Sequence, residues 1–490
     1  MPYFISGEGL LDSLKDLIRS RSFIGGKWVD DSNERTLDVL DKYDQSVLAS
    51  IPLLNPSHIE QAVKTSEEAF KVMSKWSAGK RAGKIGKLYE LLKERKELFT
   101  ELICKEAGKP LLYARTEMER CLYVLNLAKE ECLRFEGEKV AIDFGLGEGK
   151  TAFTKPFPIG PILAIAPFNF PLNLVMHKVA PALAIGCSVV LKPSMMTPLT
   201  SLAFSELVDK AGFPKGALNT LVCEDKEAER LVKDERLKAL SFTGSPKIGW
   251  FLKTIAGRKK VVLELGGNAA VIVDEGVDVK KVAKDICGGS FLYSGQICIS
   301  TQRVYVHTSI FEELKDALIE NVESLSVGDP KEEKNIVGPL INKEALERIG
   351  GWVEEAWGEG AIILTGGKVL DEKRNMYAPT LLTKTKPTMK VVVEEAFGPL
   401  AVLEKVESFE EGIEMANETK FGLQVGVYTN SIERMKYAFD QCETGAVIMN
   451  FVPGFRIDNM PYGGIKQSGF GREGIKYAMK DFSEEKLLIY

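Results

Sequence analysis

Apolar and polar positions alternate along this chain in two periods, and the change of period marks its organisation. Over Met1–Arg21, Leu10, Leu11, Leu14, Leu17 and Ile18 fall at helical spacing and predict a surface helix. Arg21 to Leu54 reads as short strands and turns, as in Phe23-Ile24-Gly25-Gly26-Lys27-Trp28-Val29. Amphipathic stretches near His58–Ser77, Arg81–Ala107 and Leu111–Phe135 predict three long helices. Lys139–Thr154 predicts a β-hairpin around a glycine-rich turn.

From Ile162 onward, short apolar runs alternate with helical ones. Strands are expected at Ile162–Pro167, Ser188–Leu191, Ala217–Cys223, Leu237–Phe242 and Lys259–Leu265. Helices are expected between them at Leu172–Ile185, Ser201–Lys210, Lys226–Lys233 and Pro246–Ile255. A second series follows, with strands at Ala269–Val273 and Arg303–His307 and helices at Val279–Leu292 and Phe311–Leu325. Strand-like runs at Ala361–Leu364, Leu400–Val406, Val425–Tyr428 and Ala446–Asn450 continue it. Such alternation implies an α/β protein built on parallel sheets covered on both faces. Dinucleotides favour the carboxyl ends of the strands in such sheets. The tail Lys486–Tyr490 is an apolar strand without a neighbour in sequence, so it pairs at a distance or across subunits.

Composition narrows the functional classes. A length of 490 residues suggests roughly three domains at about 150 residues each. Hydrophobic content of 45% with 27% charged residues excludes a disordered or fibrous chain. The formal charge of −5 gives no general attraction to nucleic acid or anionic membrane, and neither is expected as a partner. The eight cysteines are sparse, and with no signal-peptide pattern at the start they read as reduced thiols of a cytoplasmic protein. With only three histidines, His58, His177 and His307, no metal site is expected and a general base is expected to be a carboxylate. The uncharged stretch Pro156–His177 holds five prolines with Asn169 and Asn173, which argues against a membrane span and for a strand, loop and helix.

Two motif matches are rejected on context. Gly469-Phe470-Gly471-Arg472-Glu473-Gly474 fits G-x-G-x-x-G but lies too near the C-terminus for the βαβ unit that the mechanism needs. Gly145–Thr151 resembles a phosphate loop, but Phe144 stands where its first glycine belongs.

Four segments carry candidate chemistry. In Ser294-Gly295-Gln296-Ile297-Cys298-Ile299-Ser300, Cys298 follows a helix and a glycine. A free cysteine is commonly a buried inert hydrophobe, whereas a thiolate here would be a strong nucleophile. The glycine, glutamine and serine around it suggest a backbone closely approaching a ligand. In Leu263-Glu264-Leu265-Gly266-Gly267-Asn268, Glu264 interrupts an apolar strand. It is either a general base with a pKa raised by burial or a carboxylate satisfied by a backbone turn. In Pro167-Phe168-Asn169-Phe170-Pro171, Asn169 either donates to an oxyanion or caps the next helix. Phe242–Gly249 is a strand, a glycine turn and a helix start, whose amides suit a pyrophosphate.

With Lys192-Pro193-Ser194, Glu395-Ala396-Phe397-Gly398-Pro399 and Pro461-Tyr462-Gly463-Gly464, these segments make the chain similar to the aldehyde dehydrogenase superfamily. The resemblance covers essentially everything after the first twenty residues. It implies an NAD(P)-binding domain of residues 1–136 and 155–265, a catalytic domain of 266–474, and an oligomerisation arm of 137–154 and 475–490. It further implies a homodimer or homotetramer. By resemblance Cys298 attacks the aldehyde, Asn169 and the Cys298 amide hold the oxyanion, and Glu264 activates the water that hydrolyses a thioester. Lys192 and Ser194 then lie near the adenosine ribose, Gly244 and Ser245 near the pyrophosphate, and Glu395 and Phe397 at the nicotinamide end.

One position departs from the pattern. Many NAD-preferring members carry a glutamate three residues after the motif lysine, where this chain has Met195. The cofactor is therefore expected to be NAD or NADP, with NADP tolerated. Phe170, Asn173, Leu174 and His177 share one helix face that the resemblance points toward the aldehyde, with Ile297 and Ile299 flanking the nucleophile. Arg456 either receives a substrate carboxylate or phosphate or pairs with Asp458 or another acid. The expected substrate is a small hydroxy- or acid-bearing aldehyde, such as lactaldehyde or a semialdehyde. Three rivals remain: a CoA-acylating member, which commonly lacks the glutamate base; a non-catalytic protein on the same fold; and an unrelated reductase on a doubly wound sheet.

Overall fold

In the computed structural model, residues 14–29 and 35–490 are described. Five parallel strands form the centre of the first sheet, in the order Leu218–Thr220, Val189–Lys192, Ile162–Ile165, Ala239–Thr243 and Lys260–Glu264. Strand order reverses between Ile162–Ile165 and Ala239–Thr243, which opens a crevice at their carboxyl ends. Antiparallel Ser22–Ile24 and Lys27–Val29 extend one edge. At the other edge, Gly469–Phe470 pairs antiparallel with Leu263 and Glu264. The rejected G-x-G-x-x-G thus starts with a closing strand, and residues 469–470, expected in the catalytic domain, belong to the first sheet.

A seven-stranded second sheet runs Ile362–Thr365, Thr380–Thr383, Leu400–Val406, Arg303–His307, Ala270–Val273, Gln424–Tyr428 and Ala446–Met449. Only Ile362–Thr365 is antiparallel. The α/β architecture expected from the alternation is therefore present in both halves. Thr380–Thr383 gave no separate signal, because four residues between Pro379 and Lys384 are too few to show a period.

Helices Lys343–Gly358, Phe409–Asn417, Ile432–Gln441 and Ile475–Asp481 add to the expected ones, and one expected helix is divided. The expected single helix over Arg81–Ala107 is two, Ala78–Lys93 and Lys96–Ala107, which turn at Glu94 and Arg95 without proline or glycine. Both pack apolar faces into the same core as Leu111–Arg134, so tertiary packing overrides the local helix signal. The expected N-terminal helix lies outside the described residues up to position 13; residues 14–17 are helical.

The C-terminal strand Ser483–Ile489 pairs along its whole length with Ala152–Pro158, which resolves the orphan tail as a partner distant in the same chain. Lys139–Val140 completes this three-stranded sheet. The expected boundary at 154/155 therefore falls inside a strand. Helix Ile475–Asp481, expected in the arm, instead buries Ile475, Ala478 and Met479 in the first core.

Two buried glutamates anchor the crevice. Helix Asn173–Ile185 is buried on every side, and its first amides have no side-chain cap of their own. Glu117 accepts from the N–H groups of Leu172 and Asn173, both at 3.0 Å. Glu106 likewise accepts from Leu199 and Thr200, both at 2.9 Å, at the start of helix Leu199–Lys210. A carboxylate at a helix N-terminus satisfies free donors and complements the helix dipole.

Candidate active site

Cys298 follows a strained turn. Tyr293, Ser294 and Gly295 all adopt positive φ, at 50°, 56° and 67°. A side chain at Gly295 would bring Cβ to 2.1 Å from the Gly398 carbonyl oxygen, so only glycine fits. Ser294 donates to the Gly338 carbonyl and accepts from its N–H. Gln296 donates to Pro339 and accepts from Ile341. The polar residues before the cysteine therefore hold the loop in place and do not face a ligand.

Cys298 opens onto a cavity of about 440 Å³. Asn169 lies on the same wall, and its Nδ2 donates to the Gln296 carbonyl at 2.9 Å. The helix cap residue is Leu172, so Asn169 is not a cap. Its amide has a second N–H for another acceptor. Glu264 ends strand Lys260–Glu264, is buried, and has neither oxygen hydrogen-bonded. It lies behind the wall against Gly463, whose added Cβ would fall 2.8 Å from Oε1. Burial and then the Glu473 carboxylate push Glu264 well above the usual carboxylate range. Glu473 goes the other way, to about 2, because Lys178 and Arg456 outweigh its own burial. Burial pushes the Cys298 thiol up to about 11, opposed by a hydrogen bond with Tyr462.

The expected substrate face divides. Phe170, Asn173, Ile297, Ile299 and Arg456 all line the cavity. Asn173 is fully buried with neither side-chain atom partnered, which leaves both its donor and its acceptor for a ligand. Arg456 donates to Glu473 at 3.1 Å, while its Nε has no partner. His177 is not on the wall: its Nε2 lies 2.8 Å from Asp458 Oδ1 in the interior. Asp458 in turn receives Arg120, which does line the cavity. His177 is therefore a support for Arg120, one turn too deep to meet a substrate. Arg120 and Lys109, which pairs with Glu117 over the Phe170 ring, were not foreseen. Nothing in helical periodicity separates them from other basic residues.

A second opening, of about 510 Å³, lies at the start of helix Pro246–Ile255. Ser245 and Glu395 border it, and Gly244 donates its N–H to the Glu264 carbonyl oxygen at 3.1 Å. Glu395 accepts from Gly267 at 3.0 Å, and burial raises it to about 7. A Cβ at Gly266 would meet Glu395 Oε2 at 2.1 Å, so the paired glycines make room for this carboxylate. Phe397 meets Phe168 edge-on at 5.6 Å. Lys192 ends its strand 3.2 Å from Asp225, and Ser194 accepts from Met196 in a local turn. A helix N-terminus bordered by the buried Glu395 carboxylate fits a dinucleotide.

The family model described as "Aldehyde dehydrogenase family" matches residues 28–488. This chain belongs to the aldehyde dehydrogenase family. It is 39% identical over 481 residues to a 3-sulfolactaldehyde dehydrogenase of Priestia megaterium, covering 98% of this chain and 99% of the relative. It is 35% identical over 473 residues to a lactaldehyde dehydrogenase of Methanococcus vannielii, covering 95% and 99%. Aldehyde dehydrogenase 21 from Physcomitrella patens, solved with the reaction product succinate, superposes with a TM-score of 0.92 at 39% identity, covering 96% and 98%. The chain is an NAD(P)-dependent aldehyde dehydrogenase with the fold of that family, and the resemblance read from its motifs is correct. Among the described residues, no helix is long and apolar enough to cross a membrane.

Proposed function

We propose that Cys298 is the nucleophile that carries the aldehyde, with Asn169 and Glu264 serving the two halves of its oxidation to an acid. The observation that carries this is their arrangement. Cys298 and Asn169 line one cavity, and the unpaired Glu264 lies against Gly463, the neighbour of the lining residue Tyr462. The sulfur adds to the carbonyl carbon, and the resulting oxyanion is held by the free Asn169 N–H and the Cys298 backbone amide. NAD or NADP, when bound, would supply the hydride acceptor, and loss of hydride from the thiohemiacetal would leave a thioester on Cys298. Glu264 removes a proton from water, the oxygen attacks the thioester, and the acid departs with Cys298 regenerated. Lys192, Ser194, Gly244, Ser245, Glu395 and Phe397 hold the cofactor. Glu264 favours hydrolysis over transfer to CoA.

The substrate is a small aldehyde bearing a hydroxyl or an anionic group. Arg120, Arg456 and Lys109 give the cavity a cationic wall, and Asn173 offers an unspent donor and acceptor. The names of the relatives support this, since sulfolactaldehyde and the succinate product both carry an acid group. The enzyme acts in the cytoplasm as a homo-oligomer joined through the three-stranded arm. An aldehyde panel, run with each cofactor and with and without CoA, tests the proposal by the appearance of reduced nicotinamide. Acid-bearing aldehydes are expected to give the highest kcat/KM, with no need for CoA and no turnover by Cys298→Ala. A requirement for CoA, or turnover by that variant, would overturn it.

A further inference from the structure

Tyr462 stands between the nucleophile and the buried charge cluster. Its ring is 3% exposed, and its hydroxyl oxygen lies 3.2 Å from Cys298 Sγ. The Arg456 guanidinium stacks 3.6 Å from the ring centroid. Backbone bonds in both directions between Tyr462 and Glu473 fix its main chain. The stack and this bridge leave the phenol one orientation, with its oxygen aimed at the sulfur.

We propose that Tyr462 is a catalytic residue whose hydroxyl donates to Cys298 and holds the sulfur as a thiolate on the cavity wall. A thiolate has no proton to give, so once Cys298 ionises only the phenol can be the donor. That bond is then charge-assisted, and it is stronger than the neutral one made to the thiol. Burial, with Cys298 beside it, keeps Tyr462 protonated well beyond its ordinary range, so the donor persists wherever the thiolate forms. The charged groups facing the sulfur are Glu395, Arg456 and Glu264. Arg456 favours the thiolate, while the two carboxylates oppose it when ionised. Tyr462 is the neutral group that opposes the upward push of burial on the thiol without adding charge to an already crowded site.

The inference rests on Cys298 being the nucleophile, but its test does not need turnover. The rate of Cys298 alkylation by iodoacetamide, followed on its own peptide by mass spectrometry across pH, reports the thiolate fraction in the full-length enzyme. Tyr462→Phe is expected to move that profile up by about one pH unit, roughly tenfold slower alkylation below the midpoint. Replacing Tyr462 by 3-fluorotyrosine strengthens the donor and keeps the shape, so the profile is expected to move down. Unchanged profiles would overturn the proposal. If Tyr462→Phe does not fold, an unchanged 3-fluorotyrosine profile is by itself sufficient to overturn it. Turnover by Cys298→Ala would instead remove the nucleophile assignment while leaving the alkylation comparison as it stands.

Discussion

Asp225 Oδ1 lies 3.2 Å from Lys192 Nζ, although the two residues sit on different elements of the first sheet's crevice. The Asp225 side chain is 94% exposed and opens helix Asp225–Lys233, and it is the carboxylate paired with the lysine proposed to contact the adenosine ribose. It sets a carboxylate beside Lys192, in a chain that has Met195 where many NAD-preferring members carry a glutamate. Both cofactors are expected to support turnover, with the Asp225 charge opposing a 2′-phosphate. Asp225→Asn is expected to shift the ratio of kcat/KM for NADP over NAD upward by about tenfold, equivalent to about 1.4 kcal/mol. An unchanged ratio would show that this carboxylate does not meet the ribose.

As the proposed base, Glu264 is expected to give the enzyme a pH dependence of definite sign. A base must be ionised to act, and this carboxyl is raised by burial and by Glu473. Deacylation is therefore expected to fail on acidification well above the ordinary carboxylate range and to recover as pH rises. Glu264→Gln is expected to keep a burst of reduced nicotinamide and to lose steady turnover by roughly 10²- to 10⁴-fold. Stopped-flow absorbance separates the two phases, and loss of the burst itself would place Glu264 before hydride transfer.

Arg120 reaches the cavity while its head is held by Asp458, itself bound to His177. Arg120→Met is expected to raise KM for acid-bearing aldehydes about 10- to 100-fold, the scale of a lost hydrogen bond to a charged group. Neutral aldehydes of similar size are expected to change little. Equal loss on both would point to a collapsed wall, without anion recognition.

Glu117 binds Lys109 and the start of helix Asn173–Ile185 at once, with no exposure of either charged side chain. Glu117→Ala leaves a buried ammonium unpaired and is expected to cost about 3–5 kcal/mol. Chemical denaturation measures this. Glu117→Gln keeps an acceptor for the two amides and is expected to lose less.

The residues proposed as nucleophile, base and oxyanion donor stand out in the sequence because each breaks a local pattern. Cys298 follows a glycine that no other residue could replace, Glu264 closes an apolar strand, and Asn169 follows one. His177 and Arg120 were not readable in the same way. One belongs to the right helix face but sits a turn too deep, and the other comes from a helix far away in sequence. The glycine, glutamine and serine near Cys298 suggest a backbone close to a ligand, because polar residues in a loop carry no label for what they bind. In the structure Ser294 and Gln296 hold the loop against residues 338–341.

The sequence by itself determined the alternation of strands and helices, the family, and the three residues proposed for the chemistry. These follow from periodicity and from residue types whose cost is local: an acid within an apolar run, a glycine at positive φ, a thiol beside it. Tertiary structure decided which distant side chains share a space. It placed Tyr462 on the sulfur, Asp225 beside Lys192, Arg456 on Glu473 and the tail strand against Ala152–Pro158. Such pairings depend on burial and distance after packing, and neither is a property of any short stretch of chain.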